Sequence, residues 1–207
     1  MDNYLKQEKD RGLVLNPNYY GCKVDAYPYA NFSGIYVHEK PTYPTCVKSH
    51  TGFIIMIADC TVLWVSKLQT ETTLLTMEAE IIEIAHCCRE LFTIINIATS
   101  LGKAVGLPMS NTTINDYFHK DNAGALLLAR TLTPQLTSPS NYYATKTIWF
   151  HKNIVNHRIK LLKIDTVEQL GDLFTKGPPR TIFNIRVRRL WVGKFLKLIQ
   201  SILERAC

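Results

Sequence analysis

Leu74, Met77, Ile81, Ile84, Cys88, Leu91, Ile95, Ala98 and Leu101 recur at three- and four-residue steps. That period, held over so long a stretch, predicts one amphipathic helix starting near Thr76 and stopping near Gly102 or at Gly106-Leu107-Pro108. A helix of this length cannot leave its apolar stripe in water, so the rest of the chain must supply a surface to cover it. Its first turn carries Glu78 and Glu80. Acids there suit the positive end of the helix dipole and, taken alone, need no further role.

The surface comes from segments with strand character. Residues 23–32 are strand-like but interrupted by Pro28, which is expected at an edge, a bulge or a strand end. Two β-branched runs, 52–57 and 61–65, flank Ala58-Asp59-Cys60 and predict a hairpin. Beyond the long helix, 114–121 reads as a strand and 122–130 as a short helix. A polar, proline-bearing loop spans 131–141. A helix over 142–155, a strand over 159–164 and a helix over 167–176, capped at Asp165 or Thr166, complete the order. Strand, hairpin, long helix, strand, two helices, strand, helix is an α/β pattern: a mixed sheet with helices packed on it.

Residues 1–20 pass from a charged run to the turn-rich Asn16-Pro17-Asn18 and are too few to fold alone, which leaves 21–178 as the domain. In 179–207, Phe183, Val187, Leu190, Trp191, Phe195, Leu198, Ile199 and Ile202 step at helical spacing opposite a basic face. Docking on the domain or on a partner is the commoner fate of such a helix. Lying on nucleic acid or an anionic membrane surface is the other.

With 207 residues and 46% hydrophobic content a packed core is expected, and a formal net charge of +7 suits a polyanionic partner. The six cysteines form no C-x-x-C pair, which argues against a zinc site. They read as free thiols of a reducing compartment, hence an intracellular chain, cytoplasmic or nuclear. Cys87 and Cys88 are adjacent in the helix, so their side chains diverge and at least one belongs to the core. Residues 2–10 lack the apolar core of a signal peptide, and no charge-free run approaches a membrane span.

Three carboxylates fall where separate elements can converge: Glu80 in the first helical turn, Asp121 at a strand end, and Asp172 in Glu168–Lys176. Acids scattered in this way, without a serine or cysteine nucleophile or a histidine triad, suit hard divalent cations such as magnesium. Two such ions about 3.5–4 Å apart can activate water and stabilise the leaving oxygen in phosphodiester hydrolysis.

Lys48-Ser49-His50-Thr51-Gly52-Phe53, Trp64-Val65-Ser66-Lys67-Leu68-Gln69, Thr76-Met77-Glu78-Ala79-Glu80, Lys120-Asp121-Asn122 and Asp165–Lys176 follow in that order. Together they resemble the ribonuclease H domain of Ty1/copia-type retrotransposon Pol polyproteins, from residue 4 to about residue 193. Residues 4–13 resemble the segment that ends the reverse transcriptase part. The resemblance implies a five-stranded ribonuclease H-like sheet with helices on both faces, and hydrolysis of the RNA strand of RNA–DNA hybrids with two Mg2+ ions. By motif position Glu80, Asp121 and Asp172 match three of the family's four metal-binding, catalytic acids, while Glu78 is a flanking residue.

The first acid belongs to a strand motif that here reads Tyr29-Ala30-Asn31-Phe32-Ser33-Gly34, and Tyr29 stands where the metal-bridging aspartate should be. Asp25 points to the same face but lies about 13 Å away at about 3.3 Å per strand residue. Only a slipped register near Pro28 would rescue it. A neutral phenol in a site for two cations loses a charge and fills ligand space, so weakened metal binding and little hydrolysis are expected. An RNA–DNA hybrid or other nucleic acid remains the implied partner, with a reverse transcriptase domain supplied in trans as another. Lys67, Lys120, Lys176 and Arg180 flank the matched motifs as candidate nucleic-acid contacts. His151 and His157 precede Asp172 but match no motif. A binding module without catalysis and an inert relic of a decayed element are the alternatives to an enzyme.

Overall fold

The computed structural model describes residues 15, 17, 22–34, 42–43, 45–106, 114–130, 141–176, 179, 181–183 and 186. Five strands form one sheet: β1 Cys22–Asn31, β2 His50–Ile57, β3 Cys60–Leu68, β4 Ile114–Lys120 and β5 Lys160–Lys163. Their spatial order is β3-β2-β1-β4-β5. β1 is antiparallel to β2 and parallel to β4, β2 is antiparallel to β3, and β4 is parallel to β5. This is the α/β, five-stranded mixed sheet of a ribonuclease H-like fold. Residues 1–14 and 187–207, which hold most of the two predicted flanking segments, lie outside the described residues.

The hairpin turn is tighter than the spacing suggests. Ala58 and Asp59 have φ values of 50° and 66°, so two residues in the left-handed region make the turn and Cys60 already belongs to β3. Two positive φ angles are the type I′ requirement, and that turn matches the twist of the strands it joins. Pro28 also departs from expectation, because it lies within β1, the central strand. Pro28 pairs with Phe53 of β2, but its carbonyl side faces β4, and the β1–β4 ladder ends at Ala26↔Phe118, two residues earlier, so no ladder bond on that side misses an N–H. Its carbonyl is instead taken by Lys120 Nζ at 3.3 Å and Gln169 Nε2 at 3.0 Å.

The long helix, α1, spans Thr76–Ala104. Ile81, Ile84, Cys88, Leu91 and Ile95 from the predicted stripe are buried, whereas Leu74, Met77 and Leu101 at its ends are exposed. Both Cys87 and Cys88 are fully buried, since α1 is covered on more than one side. Burial pushes both thiols well above the usual range. Glu78 has a structural role: its Oε2 accepts the backbone N–H groups of Leu74 at 2.7 Å and Leu75 at 3.3 Å, capping the helix start.

α2 (Ala123–Arg130) and α3 (Asn141–Asn156) add Ala125, Ala129, Phe150 and Ile154 to the core that α1 forms with Val24, Ala26, Phe53, Ile55 and Phe118 of the sheet. No helix among the described residues is long and apolar enough to cross a membrane. Residues 167–176 do not form the predicted α-helix. They make two short 3-10 turns, Thr166–Glu168 and Leu170–Phe174, and the second covers the other sheet face, where Leu170 packs with Ile54 and Met56. The Gln169 side chain takes the Gly171 N–H at 3.2 Å, which ends one turn and starts the next.

Asp116, beside Val24 in the β1–β4 ladder, is 6% exposed and its Oδ1 has no hydrogen-bond partner. Burial, reinforced by the Asp25 charge, pushes its carboxyl up to about 7. The folded chain therefore holds a proton there that the unfolded chain releases near the ordinary aspartate value, and stability falls as pH rises from about 4 to about 7. Asp116→Asn is expected to stabilise the fold by about 1–3 kcal/mol at pH 8 and by less at pH 5. Thermal unfolding of both proteins across that range checks this, and parallel curves would refute it.

Candidate active site

The ends of β1 and β4, the first turns of α1 and the Leu170–Phe174 turn are brought together by Lys120, which pairs with Glu80, and Lys176, which pairs with Asp172, both facing the ring of Tyr29. Two glycines bring that turn onto the sheet. A Cβ on Gly171 would lie 2.3 Å from the Tyr27 carbonyl oxygen and 3.1 Å from Tyr29 Cβ, and one on Gly52 would lie 2.6 Å from Thr175 Cγ2. Ser66 on β3 adds a bond to the Phe174 carbonyl at 2.6 Å, and Asn31 Nδ2 reaches the Thr175 carbonyl at 3.5 Å. Asp172 is thereby held beside Tyr29.

On the α1 side, Glu80 is 7% exposed and Glu83, one helical turn on, is fully buried. Both face Lys120, whose side chain is also fully buried. Lys120 Nζ pairs with Glu80 Oε2 and donates to Glu83 Oε2 at 3.2 Å. Asn122 Nδ2 donates to Glu80 Oε1 at 3.2 Å, while Asn122 Oδ1 accepts the Ala125 N–H at 3.1 Å and so starts α2. Burial pushes the Glu83 carboxyl up to about 8 against the pull of Lys120. The direction follows from a count of charges: one ammonium balances one carboxylate, and the deeper acid keeps its proton. For Lys120 burial opposes the charge, but Glu83 and Glu80 outweigh it and hold its pKa above the ordinary lysine value. Asp121, half-buried, adds to the negative field on both Glu83 and Lys120.

On the other side, Asp172 is 8% exposed and its Oδ2 accepts Arg186 Nη1 at 2.6 Å. Arg186 is itself buried and also donates to the Thr166 carbonyl at 3.1 Å. Lys176 Nζ lies 3.4 Å from Asp172 Oδ1 and donates to the Tyr29 hydroxyl at 2.5 Å. Burial lowers the Lys176 pKa, but the contacts with Tyr29 and Asp172 prevail and raise it. Two ammonium groups face the Tyr29 ring, Lys176 Nζ at 4.7 Å and Lys120 Nζ at 5.9 Å from its centroid.

Glu80 and Asp172 are thus linked to Tyr29 through Lys120 and Lys176, and Asp121 adds its charge on the Lys120 side. Asp25 is elsewhere: it is held by His119 Nε2 at 2.7 Å and Lys23 Nζ at 2.8 Å. The β1–β2 register runs unbroken from Val24↔Ile57 to Asn31↔His50, through Pro28, so no slip brings Asp25 closer. The residues do not fit two divalent ions. No group of three or more His, Cys, Asp or Glu side chains among the described residues could hold a metal. Glu80 and Asp172 each already face a cation.

Of the candidate nucleic-acid contacts, Lys67 is exposed on β3 and Lys176 is exposed but engaged with Tyr29 and Asp172. Lys120 corrects the expectation, since a fully buried ammonium with three acceptors cannot reach a phosphate. Arg180 lies outside the described residues. His157 stacks on Phe92 at 4.8 Å and His151 is buried in α3. Sequence reading missed Glu83, Asn122, Gln169 and Arg186. Glu83 left one signal, a charge on the apolar face of the helix within Ile81-Ile82-Glu83-Ile84. Arg186 left none, because its partnership with Asp172 exists only in three dimensions.

No protein-family model matches the chain. Among curated proteins it is similar to the retrovirus-related Pol polyprotein from transposon RE2 of Arabidopsis thaliana, with 25% identity over 92% of this chain and 12% of that protein. It is also similar to the corresponding polyprotein from transposon RE1 of the same plant, with 25% identity over 87% of this chain and 11% of that protein. The chain therefore spans about an eighth of the length of these relatives, and the similarity supports an origin in a retrotransposon Pol polyprotein.

Proposed function

We propose that the chain is the ribonuclease H-type module of a retrotransposon Pol polyprotein, one that holds RNA–DNA hybrids without cutting them. The observation that carries this reading is Tyr29: at the position of the first acid stands a phenol, bonded at 2.5 Å to a lysine that also faces Asp172. Two-metal hydrolysis needs carboxylates free to bind and bridge cations. Here two of the three remaining acids are paired with the chain's own cations.

Binding does not need those metals. A hybrid is recognised by its backbone shape and its 2′-hydroxyls, with lysines and arginines adding a salt-dependent term. Lys67 and the positive net charge of +7 fit that requirement. A reverse transcriptase domain in trans is the protein partner consistent with this reading.

The test is a cleavage assay on RNA–DNA hybrid with Mg2+ or Mn2+, joined to binding of hybrid and of plain duplex DNA across a salt series. No cleavage is expected, with tighter binding to hybrid and affinity that falls as salt rises. Cleavage abolished by Asp121→Asn would make the chain an enzyme. Equal, weak binding to both duplexes would make it an inert relic.

A further inference from the structure

Lys120 is more than a poorly placed binding residue. An ammonium has three protons, and three acceptors surround this one: Glu80 Oε2, Glu83 Oε2 at 3.2 Å and the Pro28 carbonyl at 3.3 Å. The side chain is fully buried, so its stem has no path along which to withdraw the charge. The other oxygen of Glu80 is bonded to Asn122.

We propose, resting on the ribonuclease H-type reading of these carboxylates, that Lys120 is a resident cation that holds the place of a divalent ion at Glu80, so that this chain takes no metal whatever residue stands at position 29. A divalent ion coordinated by a carboxylate sits about 2.0–2.6 Å from its oxygen. With the ammonium on the same carboxylate, two like charges would lie a few ångströms apart where little water screens them. One must leave, and the covalently attached lysine is the one that stays. Tyr29 is secondary by this measure, because its ring is 5.9 Å from Lys120 Nζ and its hydroxyl is tied to Lys176. An aspartate at 29 would give Lys120 a further carboxylate to attract it and would strengthen the block. Glu83 completes the device as a buried second acid on the same ammonium, in a position where it answers the lysine and no ligand.

The assignment is tested by titrating Mn2+ into the full chain without nucleic acid, reading free Mn2+ by electron paramagnetic resonance and heat by calorimetry. The unaltered chain and Tyr29→Asp are both expected to show no saturable binding. The combined variant Tyr29→Asp/Lys120→Met/Glu83→Met, which removes Lys120 together with the deeper of its two acids, is expected to gain saturable Mn2+ binding. Circular dichroism reports whether it is folded, and Tyr29→Asp/Lys120→Gln replaces it if it is not. Saturable binding by Tyr29→Asp with Lys120 in place overturns the assignment without any further variant, as does a folded variant lacking Lys120 that still binds no Mn2+. Hybrid binding in the presence of a chelator is measured alongside. Its loss would remove the binding-module reading alone, whereas Mn2+ binding by Tyr29→Asp would remove the lysine assignment alone.

Discussion

Lys120→Met is expected to destabilise the fold by about 3–5 kcal/mol, the usual result of removing one partner from a buried ion pair. The loss comes from what is left behind. Glu83 is fully buried, and without the ammonium its Oε2 has no donor; its Oε1 has none already. Glu80 keeps only Asn122. The Pro28 carbonyl keeps only Gln169. Lys120→Met/Glu80→Met should recover part of the loss, because the charged acid is removed together with the ammonium that balances it. Urea denaturation of the four members of the cycle measures the coupling. A loss below about 1 kcal/mol for Lys120→Met would show that the pair is solvated and the burial argument wrong.

Gly171→Ala is the second large effect, at about 2–3 kcal/mol. The added methyl would stand 2.3 Å from the Tyr27 carbonyl oxygen and 3.1 Å from that of Gly52, and both are backbone atoms of strands fixed by their ladders. The turn must therefore lift away from the sheet. Leu170 would then leave Ile54 and Met56, and Asp172 would move away from Tyr29 and Lys176. Gly124→Ala is the control, because its methyl would meet the flexible end of Met77 at 3.0 Å and a side-chain oxygen of Asn122 at 3.3 Å. That change should fall within about 0.5 kcal/mol of neutral. Equal melting temperatures for Gly171→Ala and the unaltered chain would show that the turn is not seated as closely as the contacts require.

Local signals carried most of the elements. Periodicity placed α1, because its stripe has to face a core wherever the helix sits. The β-branched runs placed the hairpin turn to within one residue, and the error at Cys60 arose because Ala58, like Asp59, adopts a positive φ angle, which an alanine rarely does. Pro28 misled for a different reason. A proline excludes a ladder bond, but whether a ladder exists at that point depends on where β4 parts from β1, which only the assembled sheet decides. Residues 167–176 have a helix-like pattern and a good cap, yet the close seat of Gly171 on the sheet and the Gln169 bond to its N–H divide the segment into 3-10 turns.

For the candidate site, motif order pointed to Glu80, Asp121, Asp172 and the residue at Tyr29, since motif spacing along the chain is read without its surroundings. Partnerships were beyond it. Lys120 borders a matched motif and reads as a surface cation, because nothing in a string of residues tells that β4 carries its side chain into the same hollow as Glu80 and Glu83. Arg186 lies fourteen residues from Asp172, a separation that no local pattern links to it. The sequence by itself determined the five strands and the helices before residue 157, and the order of the acids along the chain, through local backbone preference and apolar period. Which charges meet was decided by the tertiary structure alone: in a buried site the pairing of acids with cations depends on distance and desolvation, and neither exists until the sheet, α1 and the Leu170–Phe174 turn have come together.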